Sequence, residues 1–296
     1  MSLELEQIEN QNQPVTSKLT LVHEPPDLEI SPAHGLFNLD LSDLWRYREL
    51  VYFLTWRDVM VRYKQTALGV AWAVLQPLLT MILFSLVFGR LAGLPSDGVP
   101  YPIFTFTALI PWGLFAYALT QSSTSLVSDR NLITKIYFPR LVIPLSSVLS
   151  GLLDFAISLL LLFVMMFFFQ VPLTWRVLTL PLFVILAILS AVSVGLWLSA
   201  LNVQFRDVRY TLAFLTQVWF FATPVAYSLS IVPEQWRWLY SLNPMVGVVE
   251  GFRWAILNTN TVVGPLFPVS IVIILLLLAS GLVYFKRMED SFADLV

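Results

Sequence analysis

Residues 178–201 read LTLPLFVILAILSAVSVGLWLSAL, a run of 24 residues without a charged side chain. A helix of about 20 apolar residues crosses the hydrocarbon core of a bilayer, so this run predicts a membrane-spanning helix. Further apolar runs lie at 67–89, 101–122, 141–169, 210–230 and 265–285. The sequence therefore predicts an all-α integral membrane protein with six spans, of which the fifth is interrupted by polar residues and broken by Pro224 near its outer end.

The overall composition supports a membrane protein and excludes several kinds of site. Charged residues make up 12% of the chain, whereas soluble domains carry about 25%. The chain has no cysteine, and its two histidines, His23 and His34, lie in a polar N-terminal segment. Disulfides, thiolate or histidine-rich metal sites and a cysteine nucleophile are therefore excluded. No basic stripe suited to nucleic acid is present.

Basic residues are distributed unequally between the two sides of the predicted spans. Twelve Lys and Arg residues flank one side and four flank the other. The side with the excess is cytoplasmic in most membrane proteins, which predicts that both termini are inside. Residues 1–40 are acidic and contain four prolines but no apolar run. They predict a largely disordered cytoplasmic tail and not a signal peptide.

Residues 41–65 precede the first span and differ from it in pattern. Five residues fall on one helical face, namely Leu44, Tyr47, Leu50, Val51 and Leu54, while Arg48 and Glu49 point away. Aromatic residues flanked by Arg and Lys suit the headgroup layer, so the segment predicts an amphipathic helix in the cytoplasmic interface. A soluble helix that packs on a partner subunit is the alternative.

Two cytoplasmic loops could contact another protein. The first, SDRNLITKIYFPR at 128–140, offers Ser128 or Asp129 as the cap of a short helix. Leu132, Ile133 and Ile136 would form an apolar patch on that helix. The second, LNVQFRDVRY at 201–210, places Phe205 among charged residues. Both loops could form a docking site, but the residue pattern alone favours ordinary basic loops.

The outer segment 231–264 predicts two short helices that do not cross the membrane. Asn243 and Pro244 fit the cap and first position of a helix that ends near Leu257. Glu250 and Arg253, three residues apart, can pair on this helix, and a shorter helix follows Pro233. The pair would form a re-entrant hairpin or lie flat on the outer surface.

Asp154 is the only charge deep within a predicted span. A charge at that depth is costly and often functional. It could take part in a proton relay, contact a substrate, or accept an interhelical hydrogen bond from Ser or Thr. Relays need several ionisable groups, which favours the structural role, so an Asn substitution is expected to leave transport largely intact.

Motifs for catalysis and for nucleotide binding are absent from the sequence. It has no G-x-x-x-x-G-K-[ST] phosphate loop, no G-x-S-x-G and no H-E-x-x-H. We therefore expect no catalytic residues and no metal site. A transporter without a nucleotide site or an intramembrane ion relay still needs energy, which predicts a separate energising subunit.

Four segments carry a resemblance to a known family. They are RDVMVRYKQTALGVAWAVLQPLL at 57–79, NLITKIYFPRLVIPLSS at 131–147, FRDV at 205–208 and NPMVGVVEGFRWAIL at 243–257. Over about residues 40–290, the chain resembles the permease subunit of ABC-2 type polysaccharide exporters. That family exports O-antigens, capsular polymers and teichoic acids. The match would make residues 66–290 the ABC-2 transmembrane domain.

The resemblance implies a homodimer in the bacterial cytoplasmic membrane, assembled with two separately encoded ATP-binding subunits. These subunits would bind ATP and Mg, so the permease itself would hold no cofactor and would not be an enzyme. Its implied substrate is a lipid-linked polysaccharide. Teichoic acid, a small lipid or a drug are alternative cargoes, and an ion-coupled transporter is disfavoured because ionisable clusters are missing from the spans.

The resemblance also implies roles for particular residues. Contact with the ATPase would involve Asp129, Arg130, Asn131, Leu132, Thr134, Lys135, Phe205, Arg206 and Asp207. The gate or interface helix would use Arg46, Arg48, Trp56, Arg57 and Arg62. The first and fifth spans would form the dimer seam and line a channel with sugar-stacking aromatics, for which the candidates are Phe84, Phe88, Trp219, Phe220, Phe221 and Tyr227.

Overall fold

The computed structural model describes residues 41–64, 69, 71–205, 207–259, 267–289 and 291–292. The regular elements of this part of the chain are helical, as the sequence predicts. Five stretches are long and apolar enough to cross a membrane: Ala71–Leu91, Tyr101–Ser128, Val142–Phe168, Trp175–Gln204 and Phe267–Glu289. These stretches correspond to five of the six predicted spans. The tail predicted for residues 1–40 lies outside the described residues.

The segment that precedes the first span forms two helices, α1 (Leu41–Arg46) and α2 (Arg48–Lys64), with a break at Tyr47. The apolar face predicted for this segment is confirmed. Leu54 is buried, and the other four residues of that face pack around the same apolar cluster. We call this group the cytoplasmic cluster, after the side on which the sequence predicts these residues to lie, and its buried members include Ile133, Phe138, Leu196 and Phe285.

The first span consists of α3 (Ala71–Phe84), which continues as π-helix through Ser85–Leu91. It exposes most of its side chains in the single chain. The second span, α4 (Tyr101–Ser128), is instead the most buried of the five candidate spans and packs against many of the other helices. The two spans therefore have different surroundings although both are apolar.

The third span is divided into α6 (Val142–Ser150) and α7 (Leu152–Phe168), which follow the short loop helix α5 (Arg130–Lys135). The division lies at Gly151. A Cβ atom at this position would lie 2.6 Å from the ring of Tyr117 on α4. Because Gly151 has no side chain, α4 can lie close to the third span at the point where that span is divided.

The fourth span contains α8 (Leu180–Gln204), preceded by a 3-10 turn at Trp175–Thr179. It packs closely on the last helix, α12 (Phe267–Glu289), where the rings of Trp197 and Tyr284 stack with centroids 4.4 Å apart. Between them in sequence, α9 (Val208–Ala222) ends two residues before Pro224. Its 15 residues span about 22 Å, less than the roughly 30 Å of a bilayer core.

The predicted short outer helices are present as α10 (Glu234–Ser241) and α11 (Pro244–Leu257). Asn243 caps α11 as predicted, because its Oδ1 accepts a hydrogen bond of 3.0 Å from the Met245 N–H. Nearly all of α11 is buried, among α4, α8 and α12, whereas α10 exposes Trp236 and Trp238. The two helices therefore differ in burial.

Candidate functional site

Helix α2, which the sequence predicts to be interfacial and which we call the interfacial helix, is joined to the loop helix α5 by an ion pair. Arg57 Nη2 lies 2.8 Å from Asp129 Oδ2 and 2.8 Å from Asp58 Oδ1. Asp129 occupies the capping position of α5, but its side chain makes no capping hydrogen bond. The sequence predicted Ser128 or Asp129 as the cap of this helix. Asp129 does stand at the capping position, but its carboxylate pairs with Arg57 and does not cap the helix.

Burial and charge act in opposite directions at this ion pair. Burial lowers the pKa of the Arg57 guanidinium, but hydrogen bonds to Asp129 and Asp58 outweigh it and leave the pKa raised. Burial raises the pKa of the Asp58 carboxyl, although the hydrogen bond from Arg57 opposes that effect. Arg57 is therefore held in its charged form between two acids on different elements.

The loop helix α5 has one buried face and one exposed face. Ile133, predicted to belong to an exposed apolar patch, is buried in the cytoplasmic cluster together with Phe138. Leu132 is half-buried, and Ile136 is exposed. The exposed face combines cationic, polar and apolar side chains, namely Arg130, Asn131, Thr134, Lys135, Ile136 and Tyr137. This surface is open to a partner, and it lies away from the one that holds α5 against α2.

The second loop predicted to dock a partner is also exposed. Phe205 and Asp207 both lie on the surface, and Asp207 precedes the first residue of α9. Arg206 lies outside the described residues. The loop thus presents an aromatic ring and a carboxylate, whereas Val203 near the end of α8 is buried in the cytoplasmic cluster.

Asp154, the charge within the third predicted span, pairs with the interfacial helix. It lies in the first turn of α7, forms an ion pair with Arg62 and accepts a hydrogen bond from the Tyr63 hydroxyl. The Arg62 guanidinium also stacks over the Tyr117 ring, 4.1 Å from its centroid. The partners of Asp154 are thus Arg and Tyr side chains of α2, where the sequence suggested Ser or Thr.

The remaining residues singled out on the interfacial helices face outward. Arg46, Arg48, Trp45 and Trp56 are exposed. Arg48 donates a 3.3 Å hydrogen bond to the Trp45 carbonyl and lies over that ring. Exposed Trp and Arg side chains suit a membrane interface, while Arg57 and Arg62 hold α2 to the rest of the chain.

Aromatic side chains gather where the first span meets α9. Phe84 packs against Phe88 and Phe220, with ring centroids 5.3 and 5.6 Å apart. Phe220 also contacts Phe221 on α9 and Trp112 on α4, at 5.4 Å in each case. We call these rings, together with Trp219 and Phe115, the aromatic cluster.

Trp219 joins the aromatic cluster to the outer helices. Its ring lies 5.1 Å from Phe115, and its Nε1–H donates a 2.8 Å hydrogen bond to Asn243 Oδ1. Tyr227, the sixth channel candidate, lies apart from the cluster. Its hydroxyl donates to the Phe221 carbonyl at 2.9 Å and is 3.3 Å from that of Tyr240. Five of the six candidates for channel lining therefore lie together in the aromatic cluster. Tyr227 lies outside it and contacts α10 through Tyr240.

Glu250 and Arg253 form the pair that their spacing predicts. Arg253 Nη1 lies 2.8 Å from Glu250 Oε1, and the side chain of Arg253 is fully buried. The guanidinium donates to the Val225 and Tyr227 carbonyls at 2.8 and 3.2 Å. It also lies over the Phe104 ring. Arg253 thus anchors the segment that follows α9 onto α11 and α4.

Comparison with known proteins identifies the family of this chain. The model of the ABC-2 type transporter family matches residues 49–257, which cover both docking loops, the aromatic cluster and the Glu250–Arg253 pair. The chain belongs to the ABC-2 type transporter family. Members of this family are transport permeases, so the apolar helices described above belong to a multi-pass membrane protein.

Individual relatives match the ABC-2 chain over most of their own length. It is 32% identical to the O-antigen export system permease protein RfbA of Myxococcus xanthus, over 84% of this chain and 96% of that protein. It is 24% identical to the polysialic acid transport protein KpsM of Escherichia coli, over 79% and 92%. The inner membrane transport permease YadH of Escherichia coli K12 is 27% identical over 63% and 76%.

The structure of this ABC-2 permease adds residues that the sequence did not single out. Tyr117 and Ser150 complete the site of Arg62, since Ser150 Oγ lies 3.3 Å from Arg62 Nη2 and 3.0 Å from the Tyr117 hydroxyl. Trp112 and Phe115 support the aromatic cluster from α4. These residues come from distant parts of the chain, and their spacing carries no signal of a shared site.

Proposed function

We propose that this chain is the membrane subunit of an ABC exporter that moves a lipid-linked polysaccharide outward across the cytoplasmic membrane. The observation that carries the proposal is the similarity to an O-antigen export permease over 96% of that protein. A polysialic acid transport protein matches over a comparable length. Both relatives are named for the transport of glycans, which favours a glycan over a small lipid or a drug.

The aromatic cluster supports a glycan as cargo. A channel for a hydrated polymer must hold sugar rings without binding them tightly, and aromatic faces suit that task better than charges. Phe84, Phe88 and Phe220 are half-buried and Phe221 is exposed. Further aromatic rings, Tyr210 and Phe214, are exposed along α9. These side chains would line the route in the assembled transporter.

A homodimer is part of the proposal. The first span and α9 leave long apolar faces uncovered in the single chain, including Leu79, Leu83, Phe214 and Val218. One copy of the chain therefore offers an open wall and not an enclosed channel. Pairing of two copies through these faces would bury apolar surface, and the wall of each copy would complete that of the other.

We further propose that α9 is the fifth of six crossings and that both chain ends are cytoplasmic. The excess of Lys and Arg beside the two docking loops supports this orientation. The short α9 would cross together with the segment up to Tyr227, and α10 and α11 would lie at the outer side. The burial of α11 among spans supports a re-entrant position for it.

Energy would come from two ATP-binding subunits that bind ATP and Mg. The exposed face of α5 and the loop at Phe205 would contact them on the cytoplasmic side. Arg130 and Lys135 offer positive charge there, and Ile136 and Tyr137 offer apolar contact area. Neutralising Arg130 and Lys135 together should weaken that contact.

The proposal is tested by co-purification with ATP-binding subunits from the same organism. The expected result is a stable complex in which a lipid-linked glycan from the same organism stimulates ATP hydrolysis. A complex stimulated by a small lipid or a drug, and not by the glycan, would assign the chain to another branch of the family. Failure to bind any ATP-binding subunit would refute the proposal.

A further inference from the structure

The ion pair between Arg57 and Asp129 connects two elements for which the family match implies separate roles. Arg57 belongs to the interfacial helix α2, and Asp129 opens the loop helix α5. Leu54 of α2 and Ile133 of α5 belong to the same cytoplasmic cluster, and α2 packs mainly against α6. The ion pair therefore joins two helices that bury side chains in one shared apolar cluster.

Asp129 is directed toward the interior of this chain. Its side chain is 19% exposed and its Oδ2 accepts the hydrogen bond from Arg57, whereas Arg130 and Asn131 are exposed. A partner protein that docks on the exposed face of α5 would meet these neighbours before it reached the carboxylate of Asp129. The role of Asp129 is therefore distinct from that of the docking residues around it.

The other end of the same loop is also fixed. The backbone N–H of Arg140 donates a 3.1 Å hydrogen bond to Glu289 Oε1 on α12, and Lys286 lies 2.8 Å from the other oxygen of Glu289. The loop that contains α5 is thus attached to α2 at its start and to α12 at its end. If these contacts stay intact, a displacement of α5 must also displace α2 and α12.

Arg57 is suited to such a connection because its guanidinium serves two acids at once. Its Nε and Nη2 donate to Asp58 Oδ1 at 3.0 and 2.8 Å, while Nη2 also reaches Asp129. The pairing with Asp58 orients the Arg57 side chain within α2 so that its guanidinium reaches Asp129. A planar fork of donors achieves this geometry, and a lysine ammonium does not reproduce it.

We propose that Arg57 and Asp129 are positioning residues that make the interfacial helix α2 follow the ATP-driven displacement of the loop helix α5. The inference rests on the proposed function only in that an ATP-binding subunit docks on α5. The nature of the exported cargo does not enter it. Asp129 then acts through Arg57, and the exposed residues of α5 act by direct contact with the partner.

The movement of α2 can be measured with a spin label. The chain contains no cysteine, so Glu49→Cys provides a single thiol on the exposed side of α2. The nitroxide is attached to the permease before assembly with the ATP-binding subunit. Addition of ATP is expected to change the nitroxide spectrum of this complex, whatever cargo the transporter carries.

The proposal predicts how variants alter that response. Asp129→Ala and Arg57→Ala should each reduce the ATP-dependent spectral change severalfold, because each removes the charged hydrogen bond between α2 and α5. The double variant should lose no more than either single one, because both remove the same bond. Arg287→Gln is the matched control, since Arg287 is exposed on α12 and has no ion pair with another described residue.

Other results would overturn the inference. An unchanged spectral response in Asp129→Ala, or losses that add in the double variant, would show that the pair does not carry the movement. Loss of co-purification in Asp129→Ala would show that Asp129 contacts the partner directly. An intact spectral response without glycan-stimulated hydrolysis would instead contradict the proposed cargo and leave the Arg57–Asp129 connection supported.

Discussion

Arg62 on the interfacial helix forms an ion pair with Asp154 in the first turn of α7. The two residues are 92 positions apart in sequence. Tyr63 adds a hydrogen bond to the same carboxylate, and Tyr117 stacks under the guanidinium. The isolated charge of the third span is therefore an anchor for the interfacial helix, which agrees with the structural role expected for it.

We predict that Asp154→Asn preserves most of the transport activity, whereas Asp154→Leu lowers it. The amide oxygen of Asn can still accept hydrogen bonds from Arg62 and Tyr63, but Leu leaves both donors without their acceptor. Removal of one member of a partly buried charged pair costs about 1–3 kcal/mol. Transport in vesicles and the rate of proteolysis within α2 would be measured for each variant.

Loss of transport in a correctly assembled Asp154→Asn complex would contradict this interpretation and would give the charge itself a function. Equal behaviour of the Asn and Leu variants, with α2 equally resistant to protease, would also contradict it. Glu49→Gln serves as the control, because it removes an acid from the exposed side of α2.

A second prediction concerns the buried pair on α11. Arg253→Met should destabilise the protein by about 3–5 kcal/mol, because Glu250 keeps a buried carboxylate without its ion pair. The Val225 and Tyr227 carbonyls also lose their donor. The effect would be measured as the fall in denaturation temperature of the purified permease in detergent.

The matched control for the buried pair is Arg237→Met. Arg237 lies 3.7 Å from Glu234, whose side chain is 89% exposed. Exposed pairs of this kind contribute at most about 1 kcal/mol. If both variants denature at the same temperature, burial does not govern the strength of these pairs, and the prediction for Arg253 is wrong.

The sequence predicted those parts of the fold that depend on local chemistry. Apolar runs indicated the spans, and Asn243 followed by Pro244 indicated the start of α11. The apolar face of α2 followed from helical periodicity. The orientation of Asp129 and the partner of Asp154 could not be predicted from the sequence, because each depends on which distant helices pack together. Charge pairs between such helices leave no pattern in the spacing of residues.

A third prediction tests the packing of the last helix on α8. A Cβ atom at Gly281 would lie 2.7 Å from the backbone oxygen of Ser193. Backbone atoms of a packed helix cannot move aside cheaply, so Gly281→Ala should cost about 1–3 kcal/mol. The denaturation temperature in detergent would fall accordingly.

Gly113→Ala provides the matched control for this change. A Cβ atom at Gly113 meets no atom within 4 Å in this chain. Alanine is also the better helix former by about 1 kcal/mol. Gly113→Ala should therefore leave the stability of the monomer unchanged or increase it. A similar loss in both variants would indicate that the contact at Gly281 is not the cause.

The last prediction decides whether α9 crosses the membrane. Because the chain has no cysteine, single cysteines can report the side on which a residue lies. With six crossings, Gln235→Cys on α10 should react in intact cells with a thiol reagent that cannot cross the membrane. With crossings only by the five long helices, position 235 would lie on the cytoplasmic side and react only after permeabilisation.

Two exposed positions calibrate this labelling experiment. Leu173→Cys lies between the third and fourth spans and should react from outside with either number of crossings. Thr134→Cys on α5 should stay protected in intact cells. Labelling of position 235 together with 173 would establish α9 as a crossing. It would also place the aromatic cluster within the membrane, because Trp219, Phe220 and Phe221 lie near the outer end of that helix.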